Sequence, residues 1–195
     1  MDQLEQCSNS SSSQLEIKNN QLYTSYGKIF ANLVFLDLYD NQIERVSNLE
    51  GLSTLSVLLL GKNRITDISG LSSLRDTLKV LDLHGNKITS ISNKINCLQQ
   101  LKSLNLAGNQ IRQINHCDFM GLSNLKELNL KRNKIKRING FQHLIVLERL
   151  WLCHNDIHKV EDMSSISMAS NLLEITIENN PVSLAGDCVS FLVSY

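Results

Sequence analysis

The stretch Leu33–Ile43, LVFLDLYDNQI, decides the fold. It places Leu at its first, fourth and sixth positions, Asn at its ninth and Ile at its eleventh. The same spacing starts again at Leu55, Leu78, Leu101, Leu125 and Leu147. A seventh copy runs Leu172-x-x-Ile175-x-Ile177-x-x-Asn180-x-Val182. The turn asparagines are Asn41, Asn63, Asn86, Asn109, Asn133, Asn155 and Asn180, spaced 22, 23, 23, 24, 22 and 25 residues apart. A weaker copy, Leu15-x-Ile17-x-x-Asn20-x-Leu22, precedes them without its first Leu. The 195 residues include 33 Leu and 21 Asn but one Pro, which fits a repeated unit with fixed places for Leu and Asn.

Each place has a physical task. Leu36-Asp37-Leu38 alternates with strand period, so the leucines point inward and Asp37 faces solvent. The same holds for Leu58/Leu60, Leu81/Leu83, Leu104/Leu106, Leu128/Leu130 and Leu150/Leu152. A single coil cannot bury these side chains, whereas stacked coils bury them all, at ~1.5–3 kcal/mol each. The Asn turns the chain out of the strand, and its amide is expected to bond backbone groups of its own and the adjoining coil. Ile43 and its counterparts return to the core, followed by Val46, Ile68, Ile91, Ile114, Ile138 or Val160. Each coil then closes on Leu52, Leu74, Leu98, Leu122 or Leu144. Some 22 residues per coil leave too few for a full helix, so 3₁₀ or single-turn pieces are expected on the outer side. The insert NHCDFMGL (115–122) is slightly longer and predicts a fuller turn.

This pattern is the signature of the leucine-rich repeat family, which the chain resembles over 33–182. The resemblance implies an α/β leucine-rich repeat solenoid. It is a right-handed curved coil with parallel strands on the concave face and short 3₁₀ or helical turns on the convex one. Residues 1–14 read as a disordered Ser-rich tail, and 15–32 as a degenerate first coil or N-terminal cap. Asn179-Asn180-Pro181 breaks the pattern, so 183–195 read as a partial C-terminal cap of a truncated product.

Lys+Arg and Asp+Glu number 19 each, which argues against a generally basic nucleic-acid binder. No apolar run reaches the ~18 residues of a membrane span, so no membrane insertion is expected. The start, MDQLEQCSNSSSSQ, has an acid at Asp2 and no apolar stretch of an export signal. Cys7, Cys97, Cys117, Cys153 and Cys188 are odd in number and do not cluster at the repeat ends. The expected setting is therefore reducing and cytoplasmic.

The solvent-facing strand positions form three columns. Phe35, Tyr39, Val57, Leu59 and Val80 predict an exposed apolar patch, with Asp37, Asp82 and His84 among them. Further along, Lys131, Arg149, Trp151 and His154 predict an aromatic-basic patch. These twelve residues are the candidate partner-binding positions. A basic run, Lys126, Lys131, Arg132, Lys134, Lys136 and Arg137, reads as a solvated rim or as a dock for an acidic segment.

Catalytic, metal and cofactor patterns are not found. Gly61-Lys62-Asn63 is no phosphate loop, because Ser56 stands where its first Gly belongs and Asn63 replaces Ser/Thr. His154-x-x-x-His158 crosses the Asn155 turn and lacks a metalloprotease Glu. Asp37 and Asp82 lie two coils apart, ~9–10 Å, too far for a carboxylate pair.

The period resembles that of the SDS22-like, 22-residue class of intracellular repeat proteins. That class includes phosphatase-1 regulatory subunits, axonemal light chains and centrosomal proteins. The fillers DLYDN (37–41), LLGKN (59–63) and DLHGN (82–86) further resemble non-catalytic leucine-rich-repeat subunits of tubulin polyglutamylases. The resemblance implies a non-enzymatic scaffold in a microtubule-modifying, ciliary or centrosomal assembly, with protein partners such as polyglutamylase subunits or microtubule-associated proteins. The alternatives are a regulatory subunit that targets protein phosphatase 1 and a truncated product without stable function.

Overall fold

Alternation within each repeat becomes seven short strands stacked in one parallel sheet. The computed structural model describes residues 15–18, 21–24, 32–92 and 94–184. The expected tail (1–14), Cys7, Cys188 and nearly all of the expected C-terminal cap (183–195) lie outside the described residues. The strands are β1 (Leu15–Lys18), β2 (Gln21–Thr24), β3 (Phe35–Asp37), β4 (Val57–Leu59), β5 (Val80–Asp82), β6 (Ser103–Asn105), β7 (Gln113–Ile114), β8 (Glu127–Asn129), β9 (Arg137–Ile138), β10 (Arg149–Trp151) and β11 (Glu174–Thr176). The sheet order is β11-β10-β8-β6-β5-β4-β3, every neighbouring pair parallel. β1 and β2 pair antiparallel, apart from this sheet.

Register is fixed by identical repeat positions. Phe35 pairs with Val57, Val57 with Val80, Val80 with Ser103, Ser103 with Glu127, Glu127 with Arg149 and Arg149 with Glu174. Between these outward residues, Leu58, Leu81, Leu104, Leu128 and Leu150 are buried. Burial is less complete at the two outermost strands of this sheet: Leu36 keeps 7% of its surface, and Ile175 and Ile177 are half-buried. The cause is stacking, since an inner leucine needs a coil on both sides to lose its water.

The asparagine ladder forms as its chemistry requires. Asn63, Asn86, Asn109, Asn133, Asn155 and Asn180 are all buried. In each, Nδ2 donates to a Leu or Ile carbonyl of its own coil at 2.8–3.1 Å. It also donates to a Leu carbonyl of the preceding coil at 2.9–3.0 Å. Oδ1 accepts the N–H of the preceding coil's Ile at 2.9–3.2 Å. Asn41, at the amino-terminal end of the ladder, is exposed and, among the described residues, bonds its own coil's Leu38 and Tyr39 carbonyls, both at 3.1 Å.

The residue before each Asn is left-handed: Asp40, Lys62, Gly85, Gly108, Arg132, His154 and Asn179 have φ between 51° and 67°. Only Gly85 and Gly108 adopt this without steric cost. The outer side carries 3₁₀ segments at Ser69–Leu74, Phe141–His143, Val160–Met168 and Pro181–Leu184. The longest, nine residues, falls in the coil with the longest spacing, 25 residues. The NHCDFMGL insert is a hydrogen-bonded turn in which the buried Asp118 carboxylate accepts the Asn115 N–H at 2.8 Å.

Two features escape the repeat pattern. Phe119 and Phe141, in consecutive coils, are fully buried and meet edge to face at 5.6 Å. Beyond the Asn109 and Asn133 turns, β7 and β9 form a second, two-residue parallel pair on the flank.

Candidate functional site

Because the leucines take the inner places, the concave wall is made of the residues between them, arranged in rows one residue per coil. At the amino-terminal end Phe35 and Tyr39 are exposed, at 53% and 42%. Val57, Leu59 and Val80 are only half-buried, since they pack laterally on one another in register. The apolar patch is therefore narrower than the sequence implies, with Phe35 and Tyr39 its open part.

Asp37 and Asp82 have structural work at the strand exits. Asp37 Oδ1 accepts the Tyr39 N–H at 2.9 Å, and Asp82 Oδ1 accepts the His84 N–H at 2.9 Å. Asn105 and Asn129 close their strands in the same way, on the N–H groups of Ala107 and Lys131. Asp82 Oδ1 is also 2.9 Å from His84 Nδ1, which orients that ring. The Tyr39 and His84 rings lie 5.6 Å apart although they belong to the first and third coils. Gly61, in the coil between them, makes this contact sterically feasible: a Cβ there would lie 2.4 Å from the His84 ring. Lys62 Nζ sits 5.1 Å from the Tyr39 ring centre, a cation–π distance.

At the other end Trp151 is half-buried and Nε1 donates to Glu174 Oε1 at 3.1 Å. Lys131 Nζ lies 5.9 Å from its ring centre. Arg149 is ion-paired with Glu127, whose other oxygen accepts the Ser103 hydroxyl at 3.0 Å. The Arg149 hydrogen bond holds the Glu127 carboxyl below its ordinary range. Cys153 is buried and its thiol donates to Glu178 at 2.6 Å, which holds that carboxyl low as well. His154 is exposed at its left-handed turn, with Asn179 Nδ2 3.3 Å from Nε2. The expected aromatic-basic patch is thus an aromatic patch of mixed charge, because Glu127, Glu174 and Glu178 offset its cations.

The candidate residues leave out Gly61, Glu127, Glu174 and Glu178, which stand in the sequence columns, and Lys62, which lies outside them. A signal was present for Gly61: one small residue stands between two rings in the column Tyr39, Gly61, His84. Three of the six cations of the basic run are paired across coils, Lys126 with Glu148 at 2.7 Å, Lys136 with Asp156 at 3.6 Å and Arg137 with Asp162 at 3.2 Å. Cys97, Cys117 and Cys153 are free thiols, and burial pushes the Cys97 thiol up. Among the described residues no helix is long and apolar enough to cross a membrane.

Comparison with known proteins assigns this architecture to a class. A leucine-rich repeat model matches residues 99–157, and a two-copy leucine-rich repeat model matches 31–73 and 76–119. The chain belongs to the leucine-rich repeat family, whose stacked coils serve as protein–protein interaction scaffolds. Among curated relatives it is 43% identical over 49 residues to dynein axonemal light chain 1 of Homo sapiens. That match covers 25% of this chain and 26% of that protein, so the chain spans about a quarter of the length of the relative. Among solved structures it is similar to a leucine-rich repeat protein of Leptospira interrogans, with a TM-score of 0.72 and 28% identity over 77% of this chain and 38% of that one. It is also similar to an internalin of Listeria monocytogenes, with a TM-score of 0.67 and 31% identity over 80% of this chain and 45% of that one.

Proposed function

We propose that this chain is a non-enzymatic accessory subunit of a microtubule-modifying or axonemal assembly, and that its concave face holds a segment of a partner protein. The observation that carries the reading is the seven-stranded parallel wall with aromatic side chains toward each end, Phe35, Tyr39 and His84 at one and Trp151 at the other. Aromatic side chains beside Arg are the usual anchors of protein interfaces. A middle of small and polar side chains, Ser103, Asn105, Asn129 and Ala107, gives a partner backbone room to cross between the two ends. The match to an axonemal light chain supports the cytoskeletal or ciliary setting over a phosphatase-targeting one. The 22–25-residue period supports the SDS22-like class. In the polyglutamylase reading, the glutamate-adding chemistry belongs to another subunit.

The test is affinity purification from ciliated cells with the intact chain and with the Trp151→Ala/Arg149→Ala variant, after equal thermal midpoints are verified. Loss of the bound chains in the variant is expected. Unchanged recovery overturns the concave-face assignment. Recovery of a phosphatase catalytic subunit without tubulin-ligase subunits overturns the microtubule assignment.

A further inference from the structure

Beyond each asparagine turn the chain climbs a flank that the concave-face reading leaves unused. There, two successive coils lay basic residues side by side, and a third brings Asp156, His158 and Asp162 beside them. Lys134 N–H donates to the Ile111 carbonyl and Lys136 N–H to the Arg112 carbonyl, both at 2.9 Å, next to the β7–β9 pair. These backbone bonds hold the two basic coils at strand spacing, one step of ~4.8 Å. Two shallow recesses of about 380 Å³ each open between them. The first is lined by Lys134 and Asp156, the second by Arg137, His158 and Asp162, and both share Arg112 and Lys136.

Counting Arg112, Lys134, Lys136 and Arg137 against Asp156 and Asp162, the trough carries an excess of two positive charges in a chain whose net charge is zero. Lys136 and Arg137 keep 70% and 68% of their side-chain surface open even while paired. Arg112 and Lys134 are exposed and make no ion pair with any described residue. Arg132, exposed at the same turn, adds a further cation beside the first recess.

We propose that this flank is a second docking site, distinct from the concave face, and that it takes an extended, carboxylate-rich polypeptide segment. Charge complementarity selects an anion. The two acids in the wall select the kind. Asp156 and Asp162 oppose a uniformly anionic nucleic-acid backbone, while a peptide interleaves its carboxylates with N–H groups that can bond them. No Phe, Tyr or Trp lines either recess to stack on a base. The two basic coils and the acidic third span ~10 Å at strand spacing, room for about three extended residues across the trough.

The experiment is fluorescence anisotropy of a labelled dodecapeptide that alternates Glu and Ser, titrated with the full chain at low salt. Saturable binding is expected, weakened about ten-fold or more by the Arg112→Glu/Lys134→Glu pair. The same charge change in Lys79→Glu/Lys102→Glu, at the entries of the interior strands β5 and β6, should leave affinity within about two-fold. Trp151→Ala should leave it unchanged, so the flank stands or falls independently of the concave face. The proposal is overturned by absence of saturable binding, by equal losses in the two charge-reversed pairs, or by tighter binding of an oligouridylate of the same length.

Discussion

Replacing Asn109 by Ala tests whether the asparagine ladder, and not leucine burial alone, holds the coils in register. The Asn109 side chain is 6% exposed. Its Oδ1 is the acceptor for the Ile88 N–H at 3.0 Å, and its Nδ2 donates to the Leu83 and Leu106 carbonyls, both at 3.0 Å. The two carbonyls do not become orphans, because Leu83 keeps Asn86 Nδ2 and Leu106 keeps Asn133 Nδ2, both at 2.9 Å. The Ile88 N–H does. A buried unpaired donor costs ~1–3 kcal/mol, and the two lost carbonyl bonds add ~0.5–1 kcal/mol together, so Asn109→Ala should lose about 2–4 kcal/mol. At this chain length that corresponds to a fall of roughly 10 °C in thermal midpoint. Asn41→Ala is the internal control. Asn41 is exposed and its bonds among the described residues stay within its own coil, so its loss should stay under ~1 kcal/mol. Asn109→Asp separates the acceptor from the donor. It keeps an oxygen for the Ile88 N–H but turns the other toward two carbonyls, which favours the protonated acid. Its deficit should therefore shrink as pH falls. Urea unfolding with linear extrapolation reads all three variants. An Asn109→Ala loss no larger than that of Asn41→Ala would refute the reasoning.

Two further outcomes follow from the concave wall. Glu127 has its folded pKa held below the ordinary value by Arg149, so its contribution is complete above the unfolded value and is lost as pH falls through the folded one. Thermal midpoints of the wild type and Glu127→Gln should accordingly differ most above about pH 5 and converge in acid; a constant gap would show that the ion pair contributes nothing to the acid limb. Gly61→Ala should cost less than about 1.5 kcal/mol, because the added Cβ meets the movable His84 ring rather than backbone. It should nevertheless abolish the Tyr39–His84 ring cross-peak in two-dimensional NMR, and persistence of that cross-peak would contradict the role given to the missing side chain.

The candidate site was legible in position more than in character. Columns two residues apart identify Trp151 and Arg149 as wall residues, since the side-chain period of a strand is two. They do not give rotamers. Whether Arg149 reaches into solvent or lies on Glu127 depends on a neighbour 22 residues away. The same limit applies to Trp151 on Glu174 and to the Cys153 thiol on Glu178. Val57, Leu59 and Val80 face the wall as expected, but lateral packing closes half of their surface.

By itself the sequence determined the coil count over 33–182, the inward leucines, the asparagine ladder and the short outer turns. Each of these is written inside one period and then repeated, so local pattern and global stacking require the same answer. Tertiary structure alone decided what passes between periods: the Phe119–Phe141 contact, the β7–β9 pair on the flank, the antiparallel pairing of β1 with β2 and the cross-coil ion pairs. Those contacts depend on which non-repeated side chains stacking brings within reach, and no single period contains that information.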